Sequence, residues 1–464
     1  MKKFFIFFIL LFVNYLYANE IFHYEDFSYN ITENDEVCIV KCKSSAYVKI
    51  PSEIKGKKVT KIGSEIFSKN NTVLGIELPN SVIEINPRAF LDCKLLCSIN
   101  IPNSVKSIGG CAFYNCSSLE EIIIPESVEY ISGTIFKKCN SLRKVIISEN
   151  NENYAIVDEL LYNKKEKAII GCFSKKEKII IPNGVKIIHN SAFYECSHLI
   201  SIEIPKSVEE IGNQAFGQCE NLLSIVIPKS VEKIGAAVLN GCKSLQDVTI
   251  NNNRFIVKNN ILYDKKERVV VSCFSNEKNI EIPKVITKIG YMAFSNCKNL
   301  TSIVLHDSIN EIGAYAFLSC QSLEDITIPN SVSVIRYNTF CGCASLRSIT
   351  IPKSVIKIEG LAFINCSSLS FVRFSNSLTE IDDWAFMFCQ KLKTVKIPES
   401  VNKIGEYAFG YCDLLSLVKL PKSVSYIAEN AFYNCNSLVV LCDSESYAEN
   451  FCIENNIEYY VVKE

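Results

Sequence analysis

The sequence predicts a solenoid: a right-handed array of short, mostly β coils joined by short helical or 3₁₀ turns. Three recurrences predict it. Prolines fall at 79, 102 and 125, at 182, 205 and 228, and at 283, 329, 352, 398 and 421, spaced by 23 or 46 residues within each block. Phenylalanines fall at 67, 90, 113, 136, 193, 216, 294, 317, 340, 363, 386, 409 and 432. Leu239 takes the same place once, which makes fourteen coils. Thirteen cysteines follow the same period, three residues after these aromatic or Leu positions. A fixed period of this length marks units that cannot bury their own apolar side and must cover one another.

Each part of the repeat has a physical reading. In SLEEIIIP (118–125) the residues alternate, with Ile122 and Ile124 inward, as in a short strand. Pro125 closes it, because proline donates nothing to a ladder. SVxxIG adds two inward apolar residues and a turn. AFxxC reads as a tight helical or 3₁₀ turn that places a Phe inside. His306 and Ser375 stand where a proline is missing. Two long units interrupt the period, at 151–182 and 251–283. Each has an apolar run, a charged turn (KKEK or KKER) and a second apolar run, which predicts an inserted hairpin.

The expected layout follows. Lys2 and Lys3, the apolar run Phe4 to Val13, and Ala18 read as a secretory leader over 1–18. The run falls short of the ~20 apolar residues of a spanning helix. Residues 19–60 form an N-terminal β cap. Residues 61–440 form about 14 coils, with inserts near 149–180 and 252–281. Residues 441–464 form a C-terminal cap, with a short helix in SESYAENFCIENN and a last strand in EYYVV.

The phrase IPxSVxxIGxxAFxxCxxLxxI is carried by 101–122, 204–225 and 397–418 among others. It resembles the BspA-like leucine-rich repeats of bacterial and protist surface proteins, over about residues 45 to 440. The resemblance implies a leucine-rich-repeat solenoid on a secreted or surface-exposed protein that adheres to host or matrix proteins or to other cells.

Composition narrows the function further. The formal net charge is −1, with no concentrated basic excess of the kind that nucleic acid or an anionic membrane selects. Among 22 cysteines, the thirteen of the repeat predict a ladder of buried thiols behaving as small core residues, with Asn70 in the equivalent place of the first coil. Disulfides between coils and metal sites are the alternatives. One thiol per layer with no nearby His makes a poor zinc site. Cys38 with Cys42, and Cys442 with Cys452, are the better disulfide candidates. Cys172 and Cys273 occupy equivalent places in the two inserts.

His23, His189, His198 and His306 are scattered and read as surface residues. Glu120–Glu121, Glu209–Glu210 and Asp382–Asp383 read as solvated pairs. No HExxH, GxSxG or P-loop occurs. The chain therefore reads as a binding protein, not an enzyme, with no cofactor and no small-molecule substrate. The alternative is a structural or assembly component of the envelope.

The outward strand residues are free to vary. Their central file runs from Glu77 through Ile123, Ile146 and Ile180 to Arg373, Lys396 and Lys419. The isoleucines predict an apolar contact and the cations a charged one, with Phe371 beside it. Both are expected to meet a protein partner.

Overall fold

The computed structural model describes residues 21–43 and 45–462, so the leader expected at 1–18 lies outside the described residues. The chain is a β-solenoid of about 18 turns. Each repeat contributes to two parallel ladders. In the strand Glu121–Ile124, Ile122 and Ile124 are buried while Glu121 and Ile123 face out. It pairs in register with Lys144–Ile147 of the next coil. Beyond Pro125, Val128 turns inward, and the two-residue strand Tyr130–Ile131 joins a second ladder with Ser107–Ile108.

The AFxxC segment corrects the sequence reading. It is neither helical nor 3₁₀, but a pair of tight turns with left-handed residues on both sides of the Phe. Around Phe90 these are Arg88 (φ 60°) and Asp92 (φ 59°). The reason is hydrogen bonding. A helical turn would point its N–H groups back into the same coil. Here the N–H groups of Arg88, Phe90 and Asp92 donate to the carbonyls of Gly110, Ala112 and Tyr114 in the next coil, at 2.9, 2.9 and 2.8 Å. The turn thereby stacks by the same logic as a strand.

The chain divides into two compact units. The first runs through Lys175 and includes Gly184–Glu195. It opens with antiparallel strands Phe22–Tyr24, Phe27–Ile31 and Val37–Cys42, and the last of these pairs in parallel with Lys57–Ile62. The rings of Phe67, Phe90, Phe113 and Phe136 stack along its core at 5.5, 5.2 and 6.2 Å between centroids.

The second unit comprises Lys176–Asn183 and Cys196 onward. Its stack runs from Phe294 to Phe432 with centroids 5.0 to 5.6 Å apart. Offset stacking of this kind adds to what ring burial already contributes. Near its C-terminal end the strand Val439–Cys442 pairs with Glu458–Val461. Between them lies the helix Tyr447–Glu454, N-capped by Ser446, whose Oγ accepts from the Glu449 N–H at 3.1 Å. The helix sets Phe451 against Phe432.

The two inserts share one design, and it is larger than a hairpin. The first has strands Tyr154–Val157, Leu160–Asn163 and Ala168–Cys172, and the second Phe255–Lys258, Ile261–Asp264 and Val269–Cys273. Each expected apolar run is split by a two-residue turn, Asp158–Glu159 or Asn259–Asn260. All four of these residues have positive φ, as a tight hairpin turn requires. The third strand of each insert then pairs in parallel with the following coil.

Candidate binding surface

The repeat cysteines are structural. Ten of the thirteen thiols donate to the carbonyl of the Phe one coil back, as in Cys93 to Phe67 (2.9 Å), Cys139 to Phe113 (3.0 Å) and Cys343 to Phe317 (3.3 Å). Asn70 does related work, its Oδ1 accepting from the Thr72 and Val73 N–H groups at 2.9 and 3.0 Å. Burial pushes the Cys93, Cys139 and Cys242 thiols up to about 12. Cys320, Cys343, Cys366 and Cys389 are also raised well above the ordinary range by burial. These are protonated donors, not nucleophiles. Two of the thirteen, Cys196 and Cys435, are only half-buried.

All 22 cysteines stand as free thiols, and strand geometry excludes the pairing of Cys38 with Cys42. Cys38 and Cys42 sit four residues apart on one strand, so their Cα atoms lie roughly 13 Å from each other, twice the reach of a disulfide. Cys442 and Cys452 are buried as thiols in the C-terminal cap. Among the described residues no cluster of His, Cys, Asp or Glu could hold a metal ion.

Two of the histidines are tied into the framework. His189 Nε2 meets the Glu166 carboxylate at 2.8 Å, and His306 Nε2 meets the Pro283 carbonyl at 3.1 Å. Asp382 was expected on a solvated face but is half-buried in an ion-pair network. Its carboxylate lies 2.9 Å from Lys357 Nζ, and Glu380 lies 2.8 Å from both Lys357 and Lys403. Burial alone would raise Glu380, but the two ammonium groups hold it down at about 2. Burial raises the neighbouring Asp382 carboxyl above its ordinary range, against the pull of Lys357.

The outward file is where the coils differ. Ile123 is 55% exposed and lies directly across the ladder from Ile146, which is half-buried. Ile180 is 56% exposed but belongs to the second unit, in a ladder with Ser201–Glu203. The apolar run is therefore a cross-strand pair plus a residue of another ladder.

The cationic residues all lie in the second unit. Arg373 ends the strand Phe371–Arg373 and faces Thr350. The adjacent strand Thr394–Lys396 puts Lys396 opposite Lys419, which is half-buried. Phe371 is 53% exposed at the other end of the first strand. No carboxylate lies within ion-pair distance of Arg373, Lys396 or Lys419 among the described residues, although Asp325 lines the same groove as Arg373. That groove, of about 820 Å³, lies where the strand ladder is interrupted between Asp325–Ile326 and Ser348–Thr350. It is also lined by Lys353, Phe374 and Ser375, and the buried Ser375 Oγ has no hydrogen-bond partner.

One feature of the turn side escaped sequence reasoning. Trp384, Phe388, Tyr407 and Tyr411 occupy left-handed positions in consecutive coils. The signal was available: these places carry mostly polar residues in other coils. The helix-like spacing of AFxxC masks it.

Comparison with known proteins places this geometry. The model of the BspA type leucine rich repeat region matches in six copies, over residues 32–167, 171–271, 268–392 and 333–456. No curated protein sequence matches the chain. Among solved structures, a leucine rich cell surface protein from Faecalibacterium prausnitzii is 24% identical, covering 94% of this chain and 98% of its own, with a TM-score of 0.38. A leucine-rich repeat protein from Bacteroides ovatus is 24% identical over 95% of this chain and 100% of its own, with a TM-score of 0.39. The pneumococcal vaccine antigen PcpA is 18% identical over 96% and 99%, also at 0.39.

Proposed function

The chain belongs to the BspA type leucine-rich repeat family, and from that premise we propose that it is a secreted or cell-surface binding protein that captures an acidic protein partner on the strand face of its second unit. Adhesion to a host or matrix protein, or to another cell, is the use this reading assigns to it. No helix among the described residues is long and apolar enough to cross a membrane. The proposed route to the surface is the leader at 1–18.

The observation that carries the reading is the unneutralised file Arg373, Lys396 and Lys419 beside exposed Phe371. Elsewhere on the repeat strands a cation finds a carboxylate on the neighbouring coil, as Lys49 finds Glu77 at 2.9 Å and Lys178 finds Glu203 at 2.6 Å. A row of like charges one coil apart costs a little repulsion, and an acidic partner would relieve it. Such contacts act on encounter rate and specificity and are screened by salt. Ile123 with Ile146, and Ile180, are proposed as secondary apolar contacts.

Two experiments test this. Protease shaving of intact producing cells should release fragments of the chain; a wholly intracellular protein sinks the adhesion reading. Surface plasmon resonance of the purified chain against candidate extracellular proteins should find a partner whose affinity falls with salt. Reversing Lys396→Glu and Lys419→Glu should weaken that binding by more than ~10-fold. Substituting Ile123→Ser, Ile146→Ser and Ile180→Ser tests the apolar contacts. An unchanged affinity in the charge-reversed variant rejects the cationic file as the site.

The second reading, an assembly component that binds its own kind, is favoured by the charge on the turn side of the same coils.

A further inference from the structure

The coils that carry the cationic file on their strands carry its complement on their turns. Asp383, Glu406 and Glu429 occupy one repeat position in three consecutive coils. Glu406 and Glu429 are exposed and Asp383 is half-buried. None has a lysine or arginine within ion-pair distance among the described residues, and Lys403, which feels Asp383, is engaged by Glu380 at 2.8 Å. Each carboxylate is thus one coil from the next, as are Arg373, Lys396 and Lys419. The two rows share one scaffold and one repeat, about 5 Å as set by the Phe363, Phe386 and Phe409 stack at 5.0 and 5.3 Å. Two rows of opposite charge with the same spacing are commensurate, so neighbouring pairs can form together; Asp383 Oδ1 also accepts from the Glu406 N–H at 2.8 Å.

The aromatic residues beside the acidic row strengthen the case. Trp384, Phe388, Tyr407 and Tyr411 have φ of 57°, 61°, 49° and 55°. This conformation is disfavoured for bulky side chains, and the position of Phe388 and Tyr411 carries Asp92, Asn115, Asn296, Gly342 and Asn365 in other coils. The rings form a row, with Phe388 on Tyr411 at 4.8 Å and Tyr411 on Tyr433 at 5.5 Å. Tyr433 is 52% exposed. Neither the core nor the turn needs an aromatic there, since Phe386 and Phe409 already fill the interior. A half-buried ring row that ends in exposed Tyr433 and is flanked by carboxylates suits a partner that brings cations and an apolar group. The strand face of the same coils offers both, in Arg373, Lys396, Lys419 and exposed Phe371.

We propose that the occupant of this acidic, aromatic turn face is the cationic strand face of a second copy of the chain. The inference rests on the cationic file being a contact surface, as proposed above. Because the two faces differ, the contact is heterologous: each copy keeps one free strand face and one free turn face, and association continues into an open array instead of stopping at a dimer.

The test is sedimentation velocity on the full chain across a concentration series, in low salt and in ~1 M salt, where the screening length is about 3 Å. The wild type should self-associate in low salt and dissociate in high salt. Two variants then separate the faces: Lys396→Glu with Lys419→Glu, and Glu406→Lys with Glu429→Lys. Each alone should weaken self-association by about 100-fold, because like charges then meet. Mixed together, the two variants should co-assemble, since every strand face then finds an opposite turn face. Circular dichroism of each variant checks its fold. The neutral set Lys396→Gln, Lys419→Gln, Glu406→Gln and Glu429→Gln serves if a reversal unfolds the chain, and should also weaken association.

A wild type that stays monomeric at every concentration overturns the proposal. So does a mixture that fails to co-assemble, or a monomer whose turn face binds a lysine-rich peptide instead. If the Lys→Glu variant loses an acidic extracellular partner while the wild type never self-associates, this inference falls and the surface-binding reading stands. If that variant changes neither property, both fall.

Discussion

On the repeat strands of the first unit, Lys49 lies opposite Glu77 and Lys144 opposite Glu121, each pair in direct register across neighbouring coils. On the strands between Phe371 and Lys419 in the second unit, Lys396 faces Lys419 and Arg373 faces Thr350. Beneath both surfaces the construction is the same: an inward Ile or Val on each strand, a stacked Phe in each turn and, in all but the first coil, a thiol three residues after it. The core therefore does not dictate the charge outside it. One region neutralises itself and the other keeps its charge available. The difference lies in the surface alone, and three experiments can break or sharpen it.

The largest effect should come from the part the two regions share. Phe90 and Phe363 are both fully buried in the ring stacks of their units. Phe90→Ala and Phe363→Ala should each cost about 3–5 kcal/mol, from lost burial plus the cavity left behind. Thermal or denaturant unfolding measures this. Similar losses confirm that the scaffolds are equivalent. A loss near zero in either would mean that core packing, not surface charge, separates the regions.

The thiol ladder gives the next test, and it again treats both regions alike. A buried thiol held at about 12 ionises in the unfolded chain near the ordinary thiol value of 9.0. The folded value is the higher one, so the stabilisation is fully present below pH 9 and is lost as pH rises toward 12. Each such thiol contributes a slope of about 1.4 kcal/mol per pH unit across that window. Chemical denaturation at stepped pH should show the chain weakening steeply above pH 9. Labelling of the repeat cysteines by a thiol reagent at neutral pH should require unfolding. Fast labelling of native Cys343 or Cys366 would contradict the ladder.

Much of this was legible in the sequence because period and polarity alone decide it. The inward places of Ile122, Ile124 and the Phe series follow from alternation and repetition, which demand no knowledge of the neighbouring coil. The turn was less legible. AFxxC has helix-like spacing, and only the hydrogen bonds to the next coil, such as Phe90 to Ala112, make left-handed turns the better solution. The inserts showed two apolar runs, but the sharp reversal at Asp158–Glu159 lacks glycine and hid a third strand. The outward file was placed correctly by register, while its electrostatics was not readable. Whether Lys144 or Lys396 has a partner depends on a residue one coil away in space and 23 positions away in sequence, and the repeat does not fix that residue. The aromatics at Trp384 and Phe388 were missed for the same reason as the turn itself.

The smallest effects bear most directly on the comparison, because they convert one region's chemistry into the other's. Thr350 lies directly opposite Arg373, as Glu121 lies opposite Lys144. Thr350→Glu should create the missing cross-strand pair. An exposed pair of this kind is worth at most ~1 kcal/mol, so stability should rise slightly or not at all. Partner binding should nevertheless fall several-fold, because Arg373 is then engaged. The reciprocal change, Glu121→Gln, frees Lys144 (60% exposed at its side chain) and should shift stability by less than ~1 kcal/mol. It should leave binding at the second unit unchanged. Calorimetry and surface plasmon resonance on the same two variants provide both readouts. If Thr350→Glu spares binding, Arg373 has no part in recognition, and the contact must rest on Lys396, Lys419 and Phe371 alone. If Glu121→Gln strengthens binding, any unpaired cation on the strand face suffices, and the second unit holds no special site.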